Sequence, residues 1–330
     1  MTNSLTADPA VTRAHELLEK FPPNSDATLW LNPPACLGPP VQPGWRCWQP
    51  HYPDFYRLKE AGWRELEPAE TRWDCVVLYG SKHKEENWEL LEAANGLLAE
   101  GGRGLFVVPN DYGSKSYQSR LQEQGRLVSY ESGRKSRLYR LARVAGPEAA
   151  LQRLQRNQVG YWSCPGLFSW NAVDRGSALL AEALRGETLQ GPVGDLGAGW
   201  GYLAGALDPS LPLHLFESDR RALAAARLNL EGRDLATHWC DLSDTENWPE
   251  GAPTSLGTVI TNPPFHTGKR QEAALGQLFA RLAHRLLPKG GVLWLVGNTH
   301  LGYPKLLATL YSAVEVRVQK DGFTVIRAVK

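Results

Sequence analysis

The stretch that decides the fold runs from Val193 to Gly201 and reads VGDLGAGWG. A short apolar strand leads directly into a turn with three glycines, and a helical pattern follows. Glycines let the backbone turn sharply and let a ligand come close to main-chain N–H groups at the start of a helix. The stretch therefore predicts a ligand-binding turn at the carboxyl end of a strand in an open α/β sheet.

Strand and helix signals alternate on both sides of this turn. Such alternation predicts a mainly parallel sheet with helices on both faces. The last two strands are separated by Lys320–Gly322 and predict an antiparallel hairpin. The predicted strands are Pro192–Leu196, Leu213–Glu217, Thr237–Cys240, Thr258–Thr261, Val292–Val296, Val314–Gln319 and Thr324–Val329, and the predicted helices are Gly201–Leu207, Arg220–Leu230 and Glu272–Leu287.

Polar side chains close four consecutive strands of this sheet. Asp195, Glu217, Asp241 and Asn262 follow one another at intervals of 22, 24 and 21 residues, the length of one βα unit. Glu217 could accept from both ribose hydroxyls of an adenosine, and Asp241 from the adenine amine. Glu217 could instead complement the dipole of the following helix, and Asp241 could begin a turn. Four such ends together favour the ligand-binding interpretation.

The fourth strand end separates two cofactor hypotheses. Gly199–Ala204 fits the G-x-G-x-x-A form of a dinucleotide fingerprint, so an NAD enzyme is the alternative. Thr261–His266 reads TNPPFH, which hydride transfer does not require. Two prolines fix the backbone, so the Asn262 oxygen and the Pro263 carbonyl can point at one NH₂ group. Phe265 offers a flat face for a heterocycle. The segment indicates a site that presents an exocyclic amine to a methyl donor.

These motifs resemble those of class I S-adenosylmethionine-dependent N-methyltransferases. Pro165–Ser169, Asp174–Leu180 and Val296–Tyr303 narrow the resemblance to the ribosomal RNA guanine-N2 methyltransferases, and most closely to the small subunit methyltransferase C family. The resemblance implies two tandem methyltransferase-like domains: residues 1–150, degenerate and RNA-binding, and residues 151–330, catalytic. Family members usually have a smaller residue where Trp200 stands.

The resemblance and the strand ends together give the candidate site. One S-adenosylmethionine is expected per chain, with methyl transfer to the N2 amine of a guanine in ribosomal RNA. His266 could assist proton loss or be structural. The expected catalytic residues are Asn262, Pro263, Pro264 and Phe265; the cofactor-binding residues are Asp195, Gly197, Ala198, Gly199, Gly201, Glu217, Asp241 and Asn262; the substrate-binding residues are Phe265, His266, Lys135 and Arg137.

The N-terminal half shows a weaker copy of the same order of helix and strand signals. A predicted helix, Asn87–Ala99, is stopped by Gly101–Gly102 and followed by a strand at Leu105–Val108, and the corresponding segment of the C-terminal half lies 189 positions later. An internal duplication is one explanation, and a common α/β pattern is the other. The resemblance implies that Cys75–Tyr79, together with Lys82–Lys84, is the degenerate counterpart of the strand that leads into Asn262–Phe265.

Charge is distributed unevenly. The 330-residue chain has a net charge of +1, yet residues 103–156 contain eleven Lys or Arg and four acids, a local charge of +7. This segment predicts a phosphate-binding platform, or a merely solvated face. If it is a strand, Lys135 and Arg137 share one face, and Arg134 and Arg140 the other.

The cysteine content and the absence of long apolar runs limit the compartment and the binding partners that we expect for the protein. Five widely spaced cysteines without a CxxC pair argue against a disulfide framework and a zinc site, and favour a reducing cytoplasm. No apolar run approaches the ~18 residues of a membrane span. We expect a cytoplasmic monomer that binds ribosomal RNA or a ribosomal subunit. Methylation of adenine N6 or of a protein glutamine, and a non-catalytic RNA-binding assembly factor, remain alternatives.

Overall fold

The structure is a computed structural model that describes residues 8–34, 42–68, 72–146, 150–244, 248–264 and 269–330. The chain divides into two compact units, Met1–Arg153 and Leu154–Lys330. Within the described residues, no helix combines the length and the apolar character needed to cross a membrane.

The N-terminal unit contains a six-stranded sheet in the order β2-β1-β3-β4-β6-β5. Strands β1 to β4 are parallel, and β6 and β5 are antiparallel to their neighbours. Its elements are α1 (Pro9–Leu18), β1 (Thr28–Leu31), β2 (Arg46–Trp48), α2 (Tyr52–Glu60), β3 (Trp73–Tyr79), α3 (Lys84–Leu97), β4 (Leu98–Pro109), two 3₁₀ turns (Asn110–Tyr112 and Ser114–Tyr117), α4 (Gln118–Glu123), β5 (Leu127–Gly133) and β6 (Ser136–Ala142).

The C-terminal unit contains a seven-stranded sheet in the order β11-β10-β9-β12-β13-β15-β14. The first five strands are parallel, and β15 and β14 form the antiparallel hairpin at the end. Its elements are β7 (Gln155–Arg156), β8 (Trp162–Ser163), α5 (Arg175–Ala183), β9 (Val193–Leu196), α6 (Tyr202–Gly205), β10 (Leu213–Glu217), α7 (Arg220–Asn229), β11 (Leu235–Trp239), β12 (Thr258–Thr261), α8 (Lys269–Leu286), β13 (Val292–Asn298), a 3₁₀ turn (Thr299–Leu301), α9 (Tyr303–Leu307), β14 (Ala313–Lys320) and β15 (Phe323–Val329).

The central strands of the C-terminal sheet are buried on both faces. Val193 of β9 packs into one apolar cluster, and Leu196 of the same strand into another on the opposite side. Val259 and Ile260 of β12 divide between the two clusters in the same way. Two covered faces are typical of parallel sheets. The predicted α/β fold, mainly parallel with a terminal antiparallel hairpin, is confirmed.

The two sheets share an order. Each ends in a hairpin whose first strand lies at the edge and whose second strand lies inside, next to a run of parallel strands, four in the N-terminal sheet and five in the C-terminal sheet. In this order β3, which contains Cys75–Tyr79, occupies the position of β12. The sequence predicted the same correspondence between these two strands. The shared order supports the duplication hypothesis.

Three local predictions were wrong or incomplete. Helix α3 ends at Leu97, and Gly101–Gly102 lies within β4 instead of separating helix from strand. Strands β1 and β2 were not predicted, because they are only four and three residues long and lie in a proline-rich stretch. Strand β11 begins at Leu235, two residues before the predicted start.

Candidate active site

The glycine turn follows β9 as predicted. Gly197, Gly199 and Gly201 have φ values of 76°, 53° and 85°, in the left-handed region that favours glycine. The amides of Gly197 and Ala198 donate to the Phe216 carbonyl oxygen at 2.9 and 3.1 Å, which ties the turn to the end of β10. A Cβ on Gly199 would have no atom within 4 Å, so the turn has an open side there.

Glu217 ends β10 directly beside this turn. Its Oε2 accepts from the Gly199 amide at 2.9 Å, and its Oε1 accepts from the Ser218 and Asp219 amides at 2.7 and 3.0 Å. Burial raises the pKa of Glu217, and the amide hydrogen bonds oppose this change. A carboxylate oxygen has two lone pairs, so among the described residues Oε2 retains one for a hydroxyl donor.

Asp195 lies in β9, next to Glu217, and is the most unusual group of the unit. Its side chain is 1% exposed, and within the described residues neither carboxyl oxygen has a hydrogen-bond partner. Burial, together with the charge of Glu217, raises the pKa of Asp195 to about 8, and the Ala204 amide opposes this change from outside hydrogen-bond geometry. A buried, unpartnered carboxyl group is costly unless a donor or cation completes it.

Asp241 follows β11 and begins a turn. Its Oδ1 accepts from the Ser243 amide at 2.8 Å and from the Ser243 hydroxyl at 2.6 Å. This arrangement is the alternative role that the sequence left open. It does not engage Oδ2 within the described residues.

Asn262 directly follows β12, whose last residue, Thr261, donates from its hydroxyl to the Leu196 carbonyl at 2.7 Å. The Asn262 Nδ2 donates to Asp174 Oδ2 and to Ser177 Oγ, both at 2.9 Å. Its Oδ1 is buried and has no partner among the described residues. The end of β12 therefore presents an unused acceptor at the same sheet edge as Asp195 and Glu217.

Comparison with known proteins identifies the family to which the chain belongs. Residues 158–327 match the model of the methyltransferase small domain. The ribosomal RNA small subunit methyltransferase C of Pseudomonas syringae pv. syringae is 31% identical over 276 residues, 80% of this chain and 81% of the relative. The protein of that name from Acinetobacter baylyi is 27% identical, over 77% of this chain and 78% of its own length.

The chain belongs to the ribosomal RNA small subunit methyltransferase C family. A solved structure agrees over nearly the whole chain: the 16S rRNA N2 G1207 methyltransferase of T. thermophilus, in complex with AdoMet and guanosine. It has a TM-score of 0.75 and 25% sequence identity, and the match covers 98% of this chain and 92% of that one.

Two predicted site residues of this family member, Phe265 and His266, lie outside the described residues. Pro263 and Pro264 are described and continue directly from Asn262. The Trp200 ring packs against Tyr161 and Tyr202, with ring centroids 5.0 and 5.6 Å away.

The two predicted RNA-binding residues of the N-terminal unit do not share a strand face. Arg134 and Lys135 form the two-residue turn between β5 and β6, with φ values of 51° and 52°, so the face assignment that assumed a continuous strand was wrong. Arg137 is half-buried, and its guanidinium lies 4.8 Å from the Tyr130 ring centroid. Its Nη1 donates to Gln118 Oε1 at 2.6 Å.

Several cations of the basic segment are already paired. Arg126, Arg134 and Arg140 form ion pairs with Glu92, Glu16 and Glu131, respectively. Among the described residues no carboxylate pairs with Arg137. The count of +7 therefore overstates the charge available to phosphate, and the predicted pair, Arg137 and the exposed Lys135, is not among the ion-paired cations.

Sequence reasoning missed Asp174 and Ser177 as site residues. They belong to the N-terminus of α5, where Asp174 also accepts from the Ser177 amide at 2.9 Å. The Asp174–Leu180 motif was noted only for its family resemblance. A strong N-cap residue three positions before a serine was the available signal.

Proposed function

We propose that the chain transfers a methyl group from S-adenosylmethionine to the N2 amine of a guanine in small subunit ribosomal RNA. One observation carries the proposal: the buried Oδ1 of Asn262, which has no partner among the described residues, at the sheet edge where Asp195 and Glu217 also lie. An acceptor oxygen fixed in this way is suited to an NH₂ donor. The names of the relatives and of the similar solved structure support the substrate class.

The residues present fit the cofactor. The carboxyl group of Asp195, which has no partner among the described residues, would accept a hydrogen bond from the amino group of S-adenosylmethionine. The remaining lone pair of Glu217 Oε2 would accept from a ribose hydroxyl of the same cofactor. Oδ2 of Asp241, which has no partner among the described residues, would accept from the adenine amine. Gly199 leaves room for close approach, because a Cβ there would have no atom within 4 Å. S-adenosylmethionine supplies an electrophilic methyl group on a sulfonium sulfur.

The chain's own part in the chemistry is to position the amine. The N2 lone pair of guanine is delocalised into the ring, so the amine is a poor nucleophile. Asn262 Oδ1 and the Pro263 carbonyl accept its two hydrogens, which favours a pyramidal nitrogen as the methyl group arrives. Such positioning and electrostatic stabilisation supply the rate, without a covalent enzyme intermediate. Phe265 stacks on the extruded base, with Pro264 holding the turn and His266 available for proton loss.

The N-terminal unit contributes to RNA binding in this proposal. Arg137 stacks on Tyr130 and has no carboxylate partner in the described part of the chain, and Lys135 is exposed at the neighbouring turn. Arg137 and Lys135 supply charge for phosphate, and the exposed Tyr130 ring beside them supplies an aromatic surface for a base. We place the protein in the cytoplasm, acting as a monomer with one active site.

The test is identification of the methylated product. Purified protein is incubated with labelled S-adenosylmethionine and small ribosomal subunits or their RNA, and the nucleosides are separated by mass spectrometry. We expect N2-methylguanosine from the wild type and a loss of at least 100-fold for Asn262→Ala, with cofactor affinity changed less than about twofold. N6-methyladenosine, a methylated protein, or equal loss of cofactor binding would contradict the assignment.

A further inference from the structure

The Asn262 side chain is held from one side only. Its two amide hydrogens go to Asp174 Oδ2 and Ser177 Oγ, which lie 88 and 85 positions earlier in the chain. Its oxygen, on the other side, has no partner among the described residues. The two ends of this amide therefore have different surroundings, and helix α5 supplies the difference.

Of the two acceptors, Asp174 is the one that decides the orientation of the amide. The oxygen and nitrogen of an asparagine are nearly equal in size, and a rotation of 180° exchanges them. A hydroxyl such as that of Ser177 tolerates either end, because it can donate or accept. A carboxylate only accepts. In the rotated amide, Asn262 Oδ1 would lie against Asp174 Oδ2 with no hydrogen between them.

The Asp174 carboxylate is itself fixed tightly. It caps α5 by accepting from the Ser177 amide at 2.9 Å. A Cβ on the intervening Gly176 would lie 3.1 Å from Asp174 Oδ2 and 3.0 Å from the Phe323 ring. The glycine thus allows α5, Phe323 and the carboxylate to approach one another. The arrangement leaves Asp174 Oδ2 little freedom to move away from Asn262.

We infer that Asp174, assisted by Ser177, is a positioning residue that sets the amide orientation of Asn262. This inference rests on the proposed function, in which Asn262 Oδ1 accepts a hydrogen from the substrate amine. In the opposite orientation the amide would present hydrogens to an NH₂ group, and the acceptor would be lost. Asp174 has this effect through Asn262 and needs no contact with the substrate.

Asp174→Asn tests the inference, because asparagine caps helices as well as aspartate does and has the same shape. Asp174 Oδ2 accepts from both the Ser177 amide and Asn262, so the variant keeps the cap only with a neutral amide oxygen at this place, and its rotated form presents an NH₂ group to Asn262. The orientation of Asn262 is then held without the charged acceptor. We expect kcat to fall about 10- to 100-fold, the range for losing a hydrogen bond to a charged group. The dissociation constant of S-adenosylmethionine should change less than twofold, and KM for RNA only slightly.

Two further variants keep the result interpretable. Ser177→Ala removes the second acceptor, retains the carboxylate, and should lower kcat by less than tenfold. It decides the question if Asp174→Asn proves unstable by thermal melting. Asp8→Asn makes the same exchange at the N-cap of α1 in the other unit and should leave kcat unchanged.

A double-mutant cycle with Asn262→Ala separates positioning from general structure. If Asp174 acts through Asn262, Asp174→Asn should have no additional effect on kcat in the Asn262→Ala background. Additive losses, or full activity of both Asp174→Asn and Ser177→Ala, would overturn the inference. A wild-type product other than N2-methylguanosine would refute the proposed substrate instead, and the cycle on that product would still test the role of Asp174.

Discussion

Replacing Asp195 with asparagine should stabilise the cofactor-free protein and at the same time impair cofactor binding. The Asp195 carboxyl is buried, and its pKa is raised from 3.8 to about 8. Between these values the folded protein holds a proton that the unfolded chain has lost, so stability decreases as pH rises. The cost grows by about 1.4 kcal/mol per pH unit and reaches roughly 4 kcal/mol at pH 7. Asparagine does not titrate and avoids this cost.

The pH dependence is the diagnostic quantity. The difference in unfolding free energy between Asp195→Asn and wild type should increase by roughly 3 kcal/mol from pH 5 to pH 7. For a domain of this size, about 1 kcal/mol corresponds to about 2–4 °C in melting temperature. Thermal melting of both proteins at several pH values measures the difference. The exposed Asp321→Asn is the control and should show no such trend.

Calorimetry with S-adenosylmethionine completes this test. A cationic amino group beside Asp195 requires the ionised carboxylate, so wild-type affinity should rise up to tenfold per pH unit below pH 8, with one site per chain. Asp195→Asn should bind at least tenfold more weakly at pH 8. If its affinity and pH profile matched wild type, Asp195 would not hold the amino group. A pH-independent stability difference would refute the argument from burial.

Two further variants test the glycine turn and the RNA surface. Gly201→Ala should destabilise the protein by roughly 1–3 kcal/mol more than Gly232→Ala. Both glycines have left-handed φ, but only a Cβ at position 201 would lie 3.1 Å from the Cβ of Ala226. Denaturant unfolding measures both losses of stability, and equal losses would contradict the steric argument. Arg137→Gln should lower the slope of log affinity against log salt by about 0.7 for RNA. The paired Arg134→Gln should not, and identical slopes for both variants would exclude a phosphate contact at Arg137.

The sequence was sufficient to predict which strand ends meet, since parallel strands joined by βα units bring their carboxyl ends to one edge. Asp195, Glu217 and Asn262 were predicted in this way, and the structure brings them together. The partners of Asn262 could not be predicted, because contacts over 88 and 85 residues leave no local periodicity. The same limit applies to the hydrogen bonds of the Gly197 and Ala198 amides.

The assignment of basic residues to strand faces failed for a different reason. A face assignment by alternation holds only within a continuous strand, and a two-residue turn interrupts this one at Arg134 and Lys135. Such turns are usually signalled by Asn-Gly or Asp-Gly, because both central residues need positive φ. Arginine and lysine gave no such signal. The pairing of Arg134 with Glu16 was equally inaccessible, because it depends on the position of α1.

We propose a single cofactor site per chain, and the corresponding sheet edge of the N-terminal unit supports this proposal. Strand β1 has the position of β9 in the shared order, but it is followed by Asn32 and then two prolines, which have no N–H to donate. At the end of β3, Tyr79 is hydrogen-bonded to His15 of α1 at 2.7 Å. Asp8, which caps α1, accepts from the Tyr112 hydroxyl at 2.6 Å. Side chains of this unit are thus hydrogen-bonded to one another at the sheet edge where, among the described residues, the C-terminal unit leaves acceptors without partners. The contrast favours division of labour between the units, with RNA contact in one and methyl transfer in the other.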